Sequence, residues 1–523
     1  MNKEGLHHHQ SDILVIGGGL SGCWAALTAA RAGARVLLLE KGYCGTSGVA
    51  APAGPGHWWV PPLPGAREDA VKARLDKAQG LGEATWMHRI MARTWQTLPD
   101  IGRHYQYEPD DNGRIRLNAL RGPEYLRALR TYCLAVGVQI LDHSPVLGLL
   151  RDKAGRVAGA YGVHFQGALG PYRAQAGAII LATGGCAFQS RLLGAANNTG
   201  DGHLMAAEAG AQFSGMEFSS IFSVVPHNTT MSRAMIYSFA RYLDEAGQEI
   251  APDAEGQSFL GVARALSQGR VLCDLSAAPE TVRAQLPLIS PNVMLPFRRQ
   301  GIDPFRERFP IDLVGEGTIR GVGGIRLRGE HWQTGVPGLY ATGDVASRES
   351  VTGPISGGGA VNAAWALSSG CLAAEAALAE GHVSTGELEH FTGHEACSNG
   401  QNGSDSREKT IRKQIQAVML DAPSQLSRNA GSLRAATSEL ENCHDSLTHS
   451  APEGSWRQRQ QRRETQSLLA VARWCTASAL ERTETLGMHR REDAIAKASD
   501  IPAYHVISSE LEHVQSRREA AHT

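Results

Sequence analysis

Gly17, Gly19 and Gly22 stand in G-x-G-x-x-G spacing directly behind the apolar run Asp12–Ile16. The first glycine of such a series allows a tight turn. The second lets backbone approach a pyrophosphate, and the third lets a helix pack on the preceding strand with its positive end toward the phosphates. Leu20 and Ser21 open that helix, which is rich in alanine and stops at Gly33. A second apolar strand, Arg35–Leu39, ends in Glu40, whose carboxylate can accept hydrogen bonds from a ribose diol and disfavours a 2′-phosphate. Strand, glycines, helix, strand and acid occur in this order within about thirty residues, which is the full adenine-dinucleotide fingerprint rather than a stray glycine loop. At this point NAD and FAD are both open.

The positioning elements decide between them. After Glu40, Lys41 leads into a loop dense in small residues, with Thr46, Ser47 and Gly48 placed to lay backbone N–H groups along a cofactor. His57, Trp58 and Trp59 close that loop; they approach the cofactor ring, roof a substrate pocket, or pack a domain junction. Val146 opens a strand that is followed by a hairpin turn at Lys153–Gly155. The strand Ala176–Gly185 ends in Ala182, Thr183 and Gly184. Far along the chain, Gly338–Asp344 (GLYATGD) repeats the strand-and-small-residue pattern, with Gly343 and Asp344 at its tip. Ser356, Gly358, Gly359, Ala360 and Val361 then begin a long Ala-rich helix whose N-terminal N–H groups suit a pyrophosphate or the oxygen edge of a reduced flavin. A cofactor site split between residues near 17 and near 350 implies FAD, because a nicotinamide dehydrogenase keeps its nucleotide in one contiguous doubly wound domain.

With 523 residues, several domains are expected. Lys+Arg 51 against Asp+Glu 52 gives a net charge of -1, so no global field calls for nucleic acid or a membrane surface. No apolar run has transmembrane length, and the N-terminus lacks a signal-peptide core, which makes the cytoplasm the expected compartment. The nine cysteines are scattered without a C-x-x-C pair, which speaks against a metal or iron–sulfur site within the chain and against a disulfide framework. His7–His9 read as a disordered terminal run, and the tail from Glu510 as frayed. The polar stretch 393–408 reads as a linker, and the segment after it has helical apolar spacing.

These motifs resemble the flavoprotein subunit family of succinate dehydrogenase and fumarate reductase, with L-aspartate oxidase and the flavin subunit of adenylylsulfate reductase. The resemblance rests on GGGLSG with Glu40, ILATGG, Asn197–Phe218 (including Asp201), GVGGI at Gly321–Ile325, ATGD, and ALERTETLGMHRRED at Ala479–Asp493. It implies an α/β fold: a glutathione-reductase-like FAD-binding domain (1–214 and 316–392) interrupted by an α+β capping domain (215–315). A linker (393–408) and a C-terminal helical bundle domain (409–523) follow.

Three departures stand out. Where family members that handle C4 dicarboxylates have a His-Pro pair, this chain has Ile221-Phe222. Their histidine before M-G-G-I is Ile319 here, and their arginine before the flavin-binding helix is replaced by Gly353–Ser356. The flavinylating Ser-His-Thr element is matched by Thr46–Gly48, which implies noncovalent FAD. The expected chemistry is therefore hydride transfer between flavin N5 and a small substrate that is not a C4 dicarboxylate. Arg320, Arg348 and His57 are the candidate catalytic residues. A second reading makes the chain a flavin subunit exchanging electrons with a separate iron–sulfur, ferredoxin-like partner. A third makes it a non-catalytic flavin scaffold. Assembly is left open, a homodimer included.

Overall fold

The computed structural model describes residues 5–521 apart from 108, 110–112, 114, 116, 118–119, 168, 231–234, 252–258, 290, 330–331, 382–385, 392–404, 449–453 and 497. An eight-stranded sheet forms its centre. β1 (His7–Ile16) lies between β2 (Val36–Leu39) and β6 (Gly170–Leu181), all parallel. β3 (Gln139–Leu141) extends the β2 edge in parallel. On the other side, β4 (Val146–Arg151) and β5 (Val157–His164) continue antiparallel from β6, and the strand Leu339–Ala341 also pairs with β6. The two strand stretches written as unbroken apolar runs, Ile13–Ile16 and Val36–Leu39, are buried throughout. A parallel strand with helices on both faces has no wet side to alternate toward.

Helix α1 (Leu20–Arg31) leaves β1 through the glycine turn and ends before Gly33, whose φ of 92° serves the left-handed exit. It packs against the long helix Gly358–Glu380. A Cβ on Gly370 of that helix would overlap the Ser21 carbonyl, so the absence of a side chain there sets the helix–helix distance.

Strand β1 begins five residues earlier than its apolar run suggests. His7–Gln10 pair with Tyr172–Gln175, so His7–His9 are ordered strand rather than a loose terminus. β6 is long enough to offer them hydrogen-bonding partners, and an edge of unpaired backbone is filled even by polar residues.

Within 215–315 lies a separate antiparallel sheet in the order Phe222–Pro226, Phe309–Gly315, Val271–Asp274, Arg241–Leu243. Its own apolar cluster includes Val224, Ile236, Val271, Phe297, Phe309 and Ile311. The C-terminal part contains the helices Asp405–Met419, Ala430–Thr448 and Trp456–Glu481.

Two expectations need correction here. Residues 405–408 belong to the first of these helices rather than to a linker; the remaining stretch, 393–404, lies outside the described residues. The tail is not frayed: Tyr504–Ser509 and Gln515–Ala520 form a hairpin. That hairpin joins Phe213–Ser214 and Gly324–Ile325 in a third sheet, stitching the chain's end to its middle. The pairing partner lies about 300 residues away, so no local pattern announces it.

Candidate cofactor and substrate cavity

One cavity of about 580 Å³ gathers the carboxyl ends of β1, β2 and β6, the start of β4, the Gly343–Asp344 turn and the first turn of the Gly358–Glu380 helix. This is where an open α/β sheet places its ligand. Of the expected cofactor residues, Gly17, Gly19, Leu20, Ser21, Glu40, Lys41, Ser47, Gly48, Val146, Ala182, Thr183, Gly184, Asp201, Gly343, Asp344 and Gly359 line it. The two halves of the motif pattern, more than 300 residues apart, thus share one wall.

Glycine chemistry at the mouth of α1 follows the fingerprint. Gly17 has φ 108°, and a Cβ there would meet the Ala182 backbone. A Cβ on Gly22 would overlap the Gly17 carbonyl oxygen and lie 3.2 Å from the Ala182 Cβ. Gly22 therefore serves packing and does not line the cavity. Around Gly19 and Gly359, by contrast, a Cβ would meet nothing within 4 Å. Their missing side chains leave room on the cavity side rather than relieving a clash within the protein.

Glu40 is buried, and its two oxygens accept from the Gly18 and Gly42 amides, each at 2.6 Å. Those bonds hold the carboxylate against the cavity with lone pairs to spare for hydroxyl donors. Lys41 spends its charge inside the protein: Nζ lies 2.8 Å from both Asp201 and Glu464, and donates to Thr199. Burial opposes ionisation of Asp201, but Lys41 and the hydroxyls around it hold its carboxyl below the usual carboxylate range. This pair ties the cavity wall to the C-terminal helix.

Orphaned polar atoms identify what the cavity is built to hold. Both amide atoms of Asn362 and the Thr183 hydroxyl are buried without a hydrogen-bond partner, and both residues line the cavity. Such atoms cost free energy unless a ligand satisfies them. A flavin dinucleotide, with its ring edge, ribityl hydroxyls and pyrophosphate, has matching donors and acceptors, so the residues present fit FAD.

Other expected contacts lie elsewhere. Thr46 is exposed and donates to the Tyr43 carbonyl at 3.3 Å, turned away from the cavity. The Ser356 hydroxyl accepts from the Gly358 amide at 3.3 Å, so it caps the helix. The Ala360 carbonyl accepts from the Trp58 amide at 3.0 Å, and Val361 packs in the core. Ala53–Pro55, within the small-residue loop expected along the cofactor, line the cavity too, whereas sequence reading passed over Asn362, Met205 and Ser238, which also line it. Asn362, a short step beyond the glycine pair, is the one the helix-opening motif itself could have pointed to.

The three catalytic candidates separate. Arg320 lines the cavity; its Nη1 donates to the fully buried Glu316 at 3.0 Å. Arg348 does not reach the cavity. It is 1% exposed, pairs with Asp344 at 2.6 Å, and donates to the carbonyls of Ile319 (2.7 Å) and Gly321. Its charge is used to fix the 318–321 loop, which corrects the expectation that it meets substrate. Its neighbour Glu349 pairs instead with His505 at 2.9 Å. His57 is also removed from the chemistry. It is buried beside Tyr125, with Nε2 3.4 Å from the Tyr125 hydroxyl, and burial pulls it down to about 3. A neutral imidazole outside the cavity wall moves no substrate proton.

No helix among the described residues is long and apolar enough to cross a membrane. No described group of three or more His, Cys, Asp and Glu could hold a metal ion.

Comparison with known proteins agrees with this geometry. Residues 12–258 match the model of the FAD dependent oxidoreductase family, and residues 412–518 match the fumarate reductase flavoprotein C-terminal family. The chain is 27% identical to an L-aspartate oxidase of Streptomyces coelicolor, covering 92% of this chain and 88% of that protein. It is 24% identical to one subunit of a fumarate reductase (CoM/CoB) of Methanothermobacter marburgensis, covering 93% and 94%. Its fold superimposes on E. coli quinol fumarate reductase FrdA with a TM-score of 0.79 at 19% identity, over 99% of this chain and 97% of that one. With the split dinucleotide cavity and both family matches on the same chain, this protein is an FAD-dependent oxidoreductase that resembles the flavoproteins of fumarate reductase and L-aspartate oxidase.

Proposed function

We propose that this enzyme oxidises or reduces a small substrate other than succinate, fumarate or aspartate, with FAD held noncovalently. The observation that carries the proposal is the composition of the cavity beside Arg320. Ile319 stands where dicarboxylate-handling relatives have a histidine. It is buried in an apolar cluster with Ala187, Leu192, Ala195, Val225 and Val314. Phe222, in the place of the lost His-Pro pair, packs with Ala263 and Leu426. Gly353–Ser356 supplies no cation and does not line the cavity. A C4 dianion needs cationic or strong donor groups at both ends. Among the described lining residues only Lys41 and Arg320 are cationic, and Lys41 is consumed by Asp201 and Glu464.

Bound FAD supplies a two-electron hydride acceptor or donor at N5. The protein's part is to hold it with the glycine-lined walls and to cover the reacting edge. Ser238, from the segment between the two parts of the central-sheet region, lines the same cavity as Ile319 and Arg320. This supports a division into an FAD-binding part (1–214 and 316–392) and a covering part (215–315) that meet over the substrate, where water is excluded. Thr46–Gly48 offers no histidine for a flavin bond.

Two measurements test the reading. Acid precipitation of the yellow protein should leave FAD in the supernatant. Anaerobic addition of aspartate or succinate should leave the oxidised flavin spectrum unchanged, and fumarate should not reoxidise the reduced form. Bleaching by aspartate or succinate overturns the substrate assignment. Electron exchange with a separate iron–sulfur protein is the competing arrangement. A ferredoxin-like protein that co-purifies and reoxidises the flavin would favour it.

A further inference from the structure

We propose that Arg320 is the substrate-anchoring and specificity-determining residue of this cavity, and that it takes the carboxylate of a small monocarboxylate. The inference rests on the functional reading above and adds the substrate class. Arg320 stands at the end of a built support. Glu316, at the end of the strand Phe309–Gly315, is 0% exposed and receives Nη1 at 3.0 Å. Ser223, on the neighbouring strand, donates to the same Glu316 oxygen and accepts from Arg320 at 3.4 Å.

The backbone of this turn is fixed as well. Gly317 has φ 52°, where a Cβ would overlap the Cys186 carbonyl. Buried Arg348 holds the carbonyls of Ile319 and Gly321. One edge of the guanidinium is thus committed. Nε and Nη2 have no hydrogen-bond partner among the described residues, and the side chain, 29% exposed, faces the cavity.

A guanidinium edge presents two parallel N–H donors, matched to the two oxygens of a carboxylate. Glu316 already neutralises much of this charge, so the pair suits a single negative charge rather than a dianion. The wall next to it is Ile319, which favours an apolar remainder. A short monocarboxylate with an alkyl or aryl body satisfies both surfaces.

The test uses FAD-loaded protein titrated with propionate and benzoate, against succinate and uncharged propionamide. The readout is perturbation of the flavin visible bands. Saturable shifts are expected with both monocarboxylates and not with the amide. R320Q should weaken them roughly ten- to hundredfold, the scale of hydrogen bonds to a charged partner. R320K should fall between. A yellow wild type that responds to succinate but not to the monocarboxylates overturns the proposal. So does unchanged monocarboxylate affinity in R320Q, or loss of FAD in both Arg320 variants, which would assign the residue to the cofactor. Wild-type protein that takes up no FAD would instead overturn the functional reading beneath it.

Discussion

Gly19 and Gly22 lie three residues apart in one motif, yet the structure separates what each does, and Gly19→Ala against Gly22→Ala reads that difference. Gly19 has φ −76° and ψ −168°, an extended conformation open to any residue, and a Cβ there meets no protein atom within 4 Å. As an N-cap exchange from glycine to alanine, Gly19→Ala should cost the apoprotein about 1 kcal/mol or less. The methyl group would project where a pyrophosphate approaches. FAD affinity should fall by about 1.4–2.8 kcal/mol, or ten- to hundredfold. Gly22→Ala drives its methyl into the Gly17 carbonyl, which is backbone and cannot rotate away. That overpacking should cost about 3 kcal/mol in the apoprotein itself. Thermal unfolding of both apoproteins, with FAD titration followed by fluorescence quenching, separates the cases. Gly19→Ala protein that binds FAD within twofold of wild type would refute the placement of the pyrophosphate against Gly19. A Gly22→Ala apoprotein of unchanged stability would refute the close packing of α1 on β1.

Further outcomes follow from the buried charges and from the tail. Burial pushes the Glu217 carboxyl up to about 7 from its ordinary 4.5, against the pull of Arg482 at 2.8 Å. Its contribution to stability is therefore complete below about pH 4.5 and is lost as pH rises through about 7. Glu217→Gln should flatten that slope in denaturant unfolding curves from pH 5 to 8, and an identical slope in variant and wild type would exclude Glu217 as its source. Lys41→Met leaves Asp201 and Glu464 facing each other without their shared cation. Unfolding should become easier by about 3–5 kcal/mol, and a change within 0.5 kcal/mol (roughly the scale of a surface substitution) would mean the pair is not effectively buried. Removing residues 515–523 strips Tyr504–Ser509 of one of its two partner strands and takes Glu519 from Arg326. The truncated protein should melt several degrees lower, whereas a frayed tail would be lost without effect.

The adenine-dinucleotide half of the site was legible because its signals are local. An apolar run reports a strand covered on both faces, glycine spacing reports a turn that must admit a phosphate, and Glu40 follows at the next strand's tip. Gly17, Gly19 and Glu40 lie where that pattern requires. Even the split site could be inferred, since the Gly343–Asp344 turn carries the same small-residue signature. What the sequence left open was every role decided by a partner distant in the chain. Arg320 and Arg348 are the same residue type in similar surroundings. Only the fold gives one a place on the cavity wall beside Glu316 and encloses the other among carbonyls. His57 looked available because a histidine next to tryptophans can face a pocket, and packing against Tyr125 removed it. Asn362 is one polar residue in an apolar helix until the cavity forms around it. The tail becomes a strand only because Phe213–Ser214 offers Tyr504–Ser509 an edge. Spacing along the chain determined which backbone could receive a phosphate. Tertiary packing determined which charges stay available to a ligand, because desolvation and pairing depend on neighbours brought together only by the fold.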